Sequence, residues 1–297
     1  MATANRRGLK HPRPQFLTRA PRALLFLILV PGLLGLAQNA LAASQLMVTP
    51  TRVVFDGKSR SAQVTVINSG DTTGTYRISL VNKRMTLDGQ FEEAKSPQVG
   101  ELFADKMIRF APRQVVLEPG KSQVVRLSLR KRANMKPGEY RSHMLFNAIP
   151  ENAGADIKSI AKNDNISINL TAIVSIAIPV IVRHGETQAS VSFASIQYKP
   201  ADKPDAPPQL MMEMSRSGNR SVYGDLLSEF VADNGSSTVV ARVNGVAVYT
   251  PNPSRRISLP LKPPPGVKLS KGVIKVYYRS PASQGSKVLA QTQVRIP

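Results

Sequence analysis

Cysteine and tryptophan are both missing from all 297 residues. Without cysteine there is no disulfide framework, no thiolate nucleophile and no thiolate metal ligand. The chain must be held by a hydrophobic core of its own. Histidine is almost as scarce, with His143 and His184 the two beyond the first forty residues. They stand far apart without an acidic companion, which leaves out a zinc site and histidine-assisted nucleophilic catalysis. Aromatic residues make up 5% of the chain. Single-stranded nucleic acids are held on aromatic platforms beside a positive groove, so that class of partner is not expected. No strand–glycine loop–helix context for phosphate binding occurs, and no cofactor motif is written. Helical periodicity sustained over three turns is absent too. No paired acid and base stand out, and an enzyme is not expected.

Basic residues are plentiful: 40 Lys and Arg against 19 Asp and Glu. Six of the basic residues, Arg6 to Arg22, precede any acid. They are followed by the apolar run "ALLFLILVPGLLGLA" from Ala23 and by the small-residue site Ala40-Leu41-Ala42. This is the tripartite pattern of a secretory signal peptide, and cleavage after Ala42 is expected. The run holds Pro31 and Gly32 and is shorter than the ~20 residues a membrane span needs. Removing six from 40 leaves 34 basic residues against 19 acidic ones, a charge of +15 on the exported chain. These charges are scattered and read as a solvated basic surface. A preference for acidic partners or anionic membrane surfaces is the functional alternative.

The rest of the chain reads as short strands separated by turn residues about every ten positions. "SAQVTVIN" alternates through Ala62, Val64 and Val66; "TYRISLV" through Tyr76, Ile78 and Leu80; "SQVVRLSL" through Val125, Leu127 and Leu129. "KMIRFAPRQVVL" and "YRSHMLFNAIP" are also strand-like, whereas "ENAGADIKSIAKNDN" is polar and reads as a long loop. Such spacing predicts an all-β class, with two tandem immunoglobulin-like β-sandwich domains at 43–184 and 185–297 after a cleaved signal peptide. The Met211, Met212 and Met214 group reads as core of the second.

Two stretches ask for more than a fold. In "ISINLTAIVSIAIPVIVRHGE" the even positions Ile166, Ile168, Leu170, Ala172, Val174, Ile176 and Ile178 are all apolar, while Ser167, Asn169, Thr171, Ile173, Ser175 and Ala177, mostly small or polar, interleave. That is a period of two held for about six repeats. In "PTRVVFDG", stepping by two, Arg52 shares a strand face with Leu46, Val48, Pro50 and Val54. A guanidinium on an apolar face is costly unless it lies at an exposed strand end or meets an anion.

In this order, "RVVFDG" (52–57), "LEPGKSQVVRLSL" (117–129), "GEYRSHMLFNAIP" (138–150) and "ISINL…IPVIVR" (166–183) resemble the N-terminal domain of periplasmic pilus-assembly chaperones of the chaperone–usher family. The resemblance covers about 140 residues. It implies a periplasmic protein whose clients are pilus subunits, each an incomplete sandwich lacking its last strand. The long last strand of the first domain, here Ile166, Ile168, Leu170, Val174 and Ile176, would be lent to the client. An outer-membrane usher would then receive the subunit. Without a client the chain is expected to cover its own apolar strand by self-association. The family's first-strand arginine binds the client's C-terminal carboxylate, and Arg52 matches that position. A last-strand lysine normally shares the carboxylate. Here no Lys or Arg occurs from Asn163 to Val182, and Ala177 or Pro179 stands near the expected place. Arg141 or His143, on the neighbouring strand, are the candidates for the missing charge, each against the alternative of a solvated strand residue. Arg183 aligns with an arginine that is structural in the family. The motif "GNRSVYGD" (218–225) has no role assigned. The other class that fits the same residues is a secreted structural or adhesive β-sandwich protein, with 166–176 as an ordinary core strand.

Overall fold

The computed structural model describes residues 45–150 and 175–296, except 58 and 204. It is all-β apart from single 3-10 turns. The first sandwich holds β1 (Leu46–Thr49), β2 (Val53–Phe55), β3 (Ser61–Asn68), β4 (Gly74–Val81), the small hairpin β5 (Lys83–Met85) and β6 (Phe91–Glu93), β7 (Ile108–Ala111), β8 (Gln114–Leu117), β9 (Ser122–Leu129), β10 (Gly138–Ile149) and β11 (Ser175–His184). One sheet runs β1-β3-β9-β7 and the other β2-β11-β10-β4-β8. The second sandwich holds β12 (Ala189–Lys199), β13 (Gln209–Gly218), β14 (Val222–Ala232), β15 (Ser237–Val248), β16 (Ser254–Pro260), β17 (Gly272–Arg279) and β18 (Val288–Ile296). Its sheets run β12-β13-β16 and β15-β14-β17-β18. The fold is a pair of immunoglobulin-like sandwiches.

The alternation read from the sequence is what fills the first core. Val64, Val66, Tyr76, Ile78, Val125, Leu127 and Leu129 are buried between the two sheets, together with Phe55, Phe146, Ile178, Val180 and Val182. Each fully buried aliphatic side chain contributes roughly 1.5–3 kcal/mol. In the second core, Met212 and Met214 are buried while Met211 on the alternate face is exposed.

Two stretches expected as single strands are broken, and for the same reason. β1 pairs with β3 in one sheet, and β2 pairs in parallel with β11 in the other. β7 pairs with β9, whereas β8 crosses to pair with β4. Each break falls at a proline, Pro50 or Pro112, which has no N–H to give to a ladder. The chain uses these points to cross between sheets. Val48 and Val53 are both buried, so parity does not carry through the break. The single face proposed for Leu46, Val48, Pro50, Arg52 and Val54 therefore does not exist, and Val54 is exposed.

Candidate functional site

Arg52 sits in the crossing between β1 and β2, half-buried, outside any ladder. Being outside the strand resolves the puzzle of a charge on an apolar face. Its side chain reaches residues of the second sandwich. Nη1 donates to the Tyr249 hydroxyl at 3.1 Å and Nη2 to Ser221 Oγ at 3.5 Å. The guanidinium lies 4.4 Å from the ring centroid of Tyr223 and 5.5 Å from that of Tyr249. Stacking on aromatic faces suits a planar, weakly hydrated cation.

Arg141 arrives at the same tyrosine from β10. It is buried and its guanidinium lies 4.4 Å from the Tyr249 ring centroid. Nη1 donates to the Lys83 carbonyl at 3.0 Å and Nη2 to the Thr250 carbonyl at 3.4 Å. Its Nε–H is buried and meets no acceptor among the described residues. Burial holds its pKa below the ordinary arginine value; Tyr249, Glu139 and Glu101 act against that and Arg52 adds to it. An arginine stays charged in such surroundings.

His143 is two residues further along the same face of β10. It is buried, with neither ring nitrogen hydrogen-bonded, and its ring meets the edge of Phe91 at 5.1 Å between centroids. Burial first, then the charges of Arg141 and Lys83, push its pKa down to about 3. At neutral pH the imidazole is uncharged. Neither Arg141 nor His143 is a solvated strand residue, the alternative carried for both. The second sandwich and the β5–β6 hairpin cover that face. Ile181, on the same face of β11, is buried with Met85, Ala247 and Tyr249.

The neighbouring carboxylates are committed elsewhere. Glu139 and Asp56 both pair with Arg183, at 3.3 and 3.0 Å, and Glu101 pairs with Arg84 at 2.6 Å. Arg183 thus ties the end of β11 to β10 and to the turn after β2. Among the described residues, neither Arg52 nor Arg141 has a carboxylate within 4.0 Å. Tyr249 does not supply a counter-charge, because burial pushes its phenol above the ordinary value against the pull of Arg52 and Arg141.

The last strand supplies the other half of the site. β11 pairs with β10 over its whole length, from Asn147↔Ser175 to Gly138↔His184. On its other side β2 covers Val180–Val182 alone. Residues 175–179 therefore present an open sheet edge among the described residues. Ile176 is half-buried and packs against the first core, and Ile178 is buried within it. Ile176 thus contributes to this chain's own sandwich as well. Ile166, Ile168, Leu170 and Val174 lie outside the described residues. Pro179 stands opposite His143.

Residues 45–185 match the family model of pili and flagellar-assembly chaperones, PapD N-terminal domain. These residues form a domain of the pilus-assembly chaperone family. That is a family of chaperones and not of enzymes. Solved structures with a similar chain include the CsuC–CsuE chaperone–tip adhesion subunit pre-assembly complex from archaic chaperone–usher Csu pili of Acinetobacter baumannii. It is 12% identical, covers 85% of this chain and 98% of that one, and has a TM-score of 0.42. The CupB2 chaperone of Pseudomonas aeruginosa is similar at 11% identity, over 84% and 100% of the two chains, with a TM-score of 0.40. The Salmonella enterica SafA pilin in complex with the SafB chaperone is similar at 13% identity, over 86% and 97%, with a TM-score of 0.39. At such scores these likenesses carry no argument, and membership rests on the family match. No curated protein matches the chain.

Within this chaperone, three partners of Arg52 were not singled out from the sequence. Ser221 and Tyr223 lie in "GNRSVYGD", and that motif has a visible structural task. Gly218 has a φ of +95° and a side chain there would strike the Gln188 carbonyl. Asn219 accepts from the Gln188 N–H at 2.9 Å, donates to the Glu186 carbonyl at 2.9 Å, and its own carbonyl accepts from the Glu139 N–H at 3.2 Å. The motif therefore joins the second sandwich to β10 and presents Ser221 and Tyr223 to Arg52. Tyr249 carries no local signal at all, since its role depends on contacts 197 positions away.

Proposed function

We propose that this protein is a periplasmic chaperone that holds an incomplete pilus subunit and passes it to an outer-membrane usher. Residues 43–184 form the chaperone domain and 185–297 the second sandwich. The client's missing strand is supplied by the segment that runs into β11. The observation that carries this reading is the open edge of β11 at residues 175–179, directly downstream of the alternating segment.

A subunit without its last strand exposes an apolar groove and a row of unpaired N–H and C=O groups, which is an aggregation hazard. A donor strand must provide ladder hydrogen bonds and an apolar side chain at every second position. Ile166, Ile168, Leu170 and Val174 keep the parity that Ile178, Val180 and Val182 use in this chain's own core. One strand can thus serve two sandwiches in succession. Arg52 holds the client's C-terminal carboxylate, for which its lack of a carboxylate partner among the described residues and its planar donors suit it. Charge-assisted hydrogen bonds contribute about 1.5–3 kcal/mol net. Several buried aliphatic anchors exceed that, so the strand sets affinity and the ion pair sets register, where a slip of one residue would turn every anchor outward.

Co-purification from the periplasm tests this. Wild-type protein is expected to bring down a small β-rich subunit, and Arg52→Ala to recover at least tenfold less, in line with the loss of about 1.5–3 kcal/mol. Equal recovery would remove Arg52 from the mechanism.

A further inference from the structure

We infer that one corner of the first sandwich is a docking surface for anionic phospholipid headgroups, formed by Arg60, Lys106, Arg109, Arg126, Arg130 and Arg132. The inference takes from the proposed function the compartment alone, a periplasm bounded by membranes. It does not depend on how a client is held.

Charges that look scattered along the chain are gathered here by the ladders. Arg126 lies in β9 opposite Gln63 of β3 and Ala111 of β7, and Arg109 of β7 stands opposite Ser128. Both are on the face of the sheet β1-β3-β9-β7 that is turned away from the core, since Val125, Leu127, Ile108 and Phe110 beside them are the buried residues. Arg130 keeps the parity of Arg126, and its N–H donates to the Met107 carbonyl at 2.8 Å. Lys106 lies in the 3-10 turn Asp105–Met107 that opens β7. Arg60 directly precedes β3, where its carbonyl accepts from the Leu129 N–H at 2.8 Å, and Arg132 follows β9. All six residues are exposed.

Among the described residues, none of the six has a carboxylate within 4.0 Å. The acids nearest them in sequence are Asp105 and Asp56, and Asp56 is already paired with Arg183 at 3.0 Å. Neighbouring strands lie about 4.8 Å apart. Arg109 and Arg126 are diagonal neighbours at that spacing, so like charges are crowded together, and a layer of anions relieves the repulsion.

The surface selects among anions. The outward neighbours of these cations are Ser61, Gln63, Ala111 and Ser128, and Phe110 is buried, so no ring is offered for a base to stack on. That argues against single-stranded nucleic acid. The cations spread over a sheet face and its rim rather than converging on one point, which suits an extended layer of phosphates. Met47 lies on the same outward face, opposite Ile67, and is 54% exposed, an apolar side chain placed to enter the headgroup boundary. β11 belongs to the opposite sheet, so a docked molecule keeps its edge at 175–179 clear.

The test is co-sedimentation of the protein recovered from the periplasm, its start at Ala43 checked by mass. The vesicles are phosphatidylcholine with about one third phosphatidylglycerol, or phosphatidylcholine alone. The wild type is expected to bind the anionic vesicles and not the neutral ones, and to lose about tenfold or more in affinity between roughly 50 and 300 mM salt. A cation near such a surface is worth about fivefold in affinity. The triple variant Arg109→Gln, Arg126→Gln, Arg130→Gln should therefore bind about a hundredfold more weakly, with melting temperature and subunit capture unchanged. Arg242→Gln, Lys262→Gln, Lys268→Gln removes the same charge from exposed positions of the second sandwich and should cost about threefold or less. If the first triple variant does not fold, Arg126→Gln alone must weaken binding about fivefold, and unchanged binding would overturn the site. Equal losses in the two triple variants would overturn it in favour of net charge alone. Binding of polyglutamate without binding of anionic vesicles would overturn the lipid assignment in favour of an acidic protein. Vesicle binding through this corner by a protein that captures no subunit would support the surface and contradict the proposed function.

Discussion

Ile168→Asp is expected to melt within a few degrees of the wild type and to capture less than about one per cent as much pilus subunit. Two costs combine in the complex. The burial of an isoleucine, worth roughly 1.5–3 kcal/mol, is lost. A carboxylate must also enter an apolar groove without a partner, which costs several kcal/mol. Together they exceed the ~3 kcal/mol that separates full from one-per-cent binding. The free chaperone bears neither cost if the side chain belongs to the client's core. A structural or adhesive sandwich protein with residue 168 in its own core would respond in the opposite way and unfold. Thermal melting and subunit capture measured on the same preparation separate the two classes.

Acid is expected to weaken the fold through one residue. His143 has a pKa of about 3 in the folded chain against 6.5 when unfolded. Between those values the unfolded chain binds a proton that the folded chain refuses, so stability falls as pH falls. From pH 6.5 to 4.5 the loss is about 2–3 kcal/mol. Below pH 4.5 the paired carboxyls of Asp56 and Glu101 add to it. Arg183 holds Asp56 below its ordinary value; in Glu101 burial is the largest influence and acts upward, but Arg84, the Gln98 N–H and Arg141 together hold the carboxyl below its ordinary value. Urea unfolding at pH 7 and pH 4.5 measures the change. His143→Gln should remove most of it, since an amide does not titrate. An unchanged pH dependence in the variant would show that His143 is not the group responsible.

The parts of the fold visible in the sequence were those governed by period two. Val64 and Val66, Val125 and Leu127, and Ile178 are buried on the faces that alternation assigns them. Period two distinguishes two faces of a strand but does not say what covers the second. For that reason Arg141 and His143 could be placed on one face of β10, yet their burial under another domain could not be read. The sheet crossings at Pro50 and Pro112 were hidden for a related cause. Apolar residues on both sides of each proline continue a strand-like pattern, while the pairing partner changes. Arg52 was legible by its place in an ordered motif, whereas Tyr249 became visible only when two distant sandwiches met. The motif at 218–225 was noted without a role, and its work is a set of contacts by Asn219 and the backbone that no strand pattern announces.

The central claim is that the alternating segment before β11 is lent to an unfinished partner. Amide hydrogen exchange of residues 163–179, measured in the free chaperone and in its complex with a captured subunit, tests it most directly. The account predicts that this segment gains strong protection in the complex, and that Ile168→Asp abolishes the gain. Protection already complete in the free protein and unchanged by the subunit would contradict it.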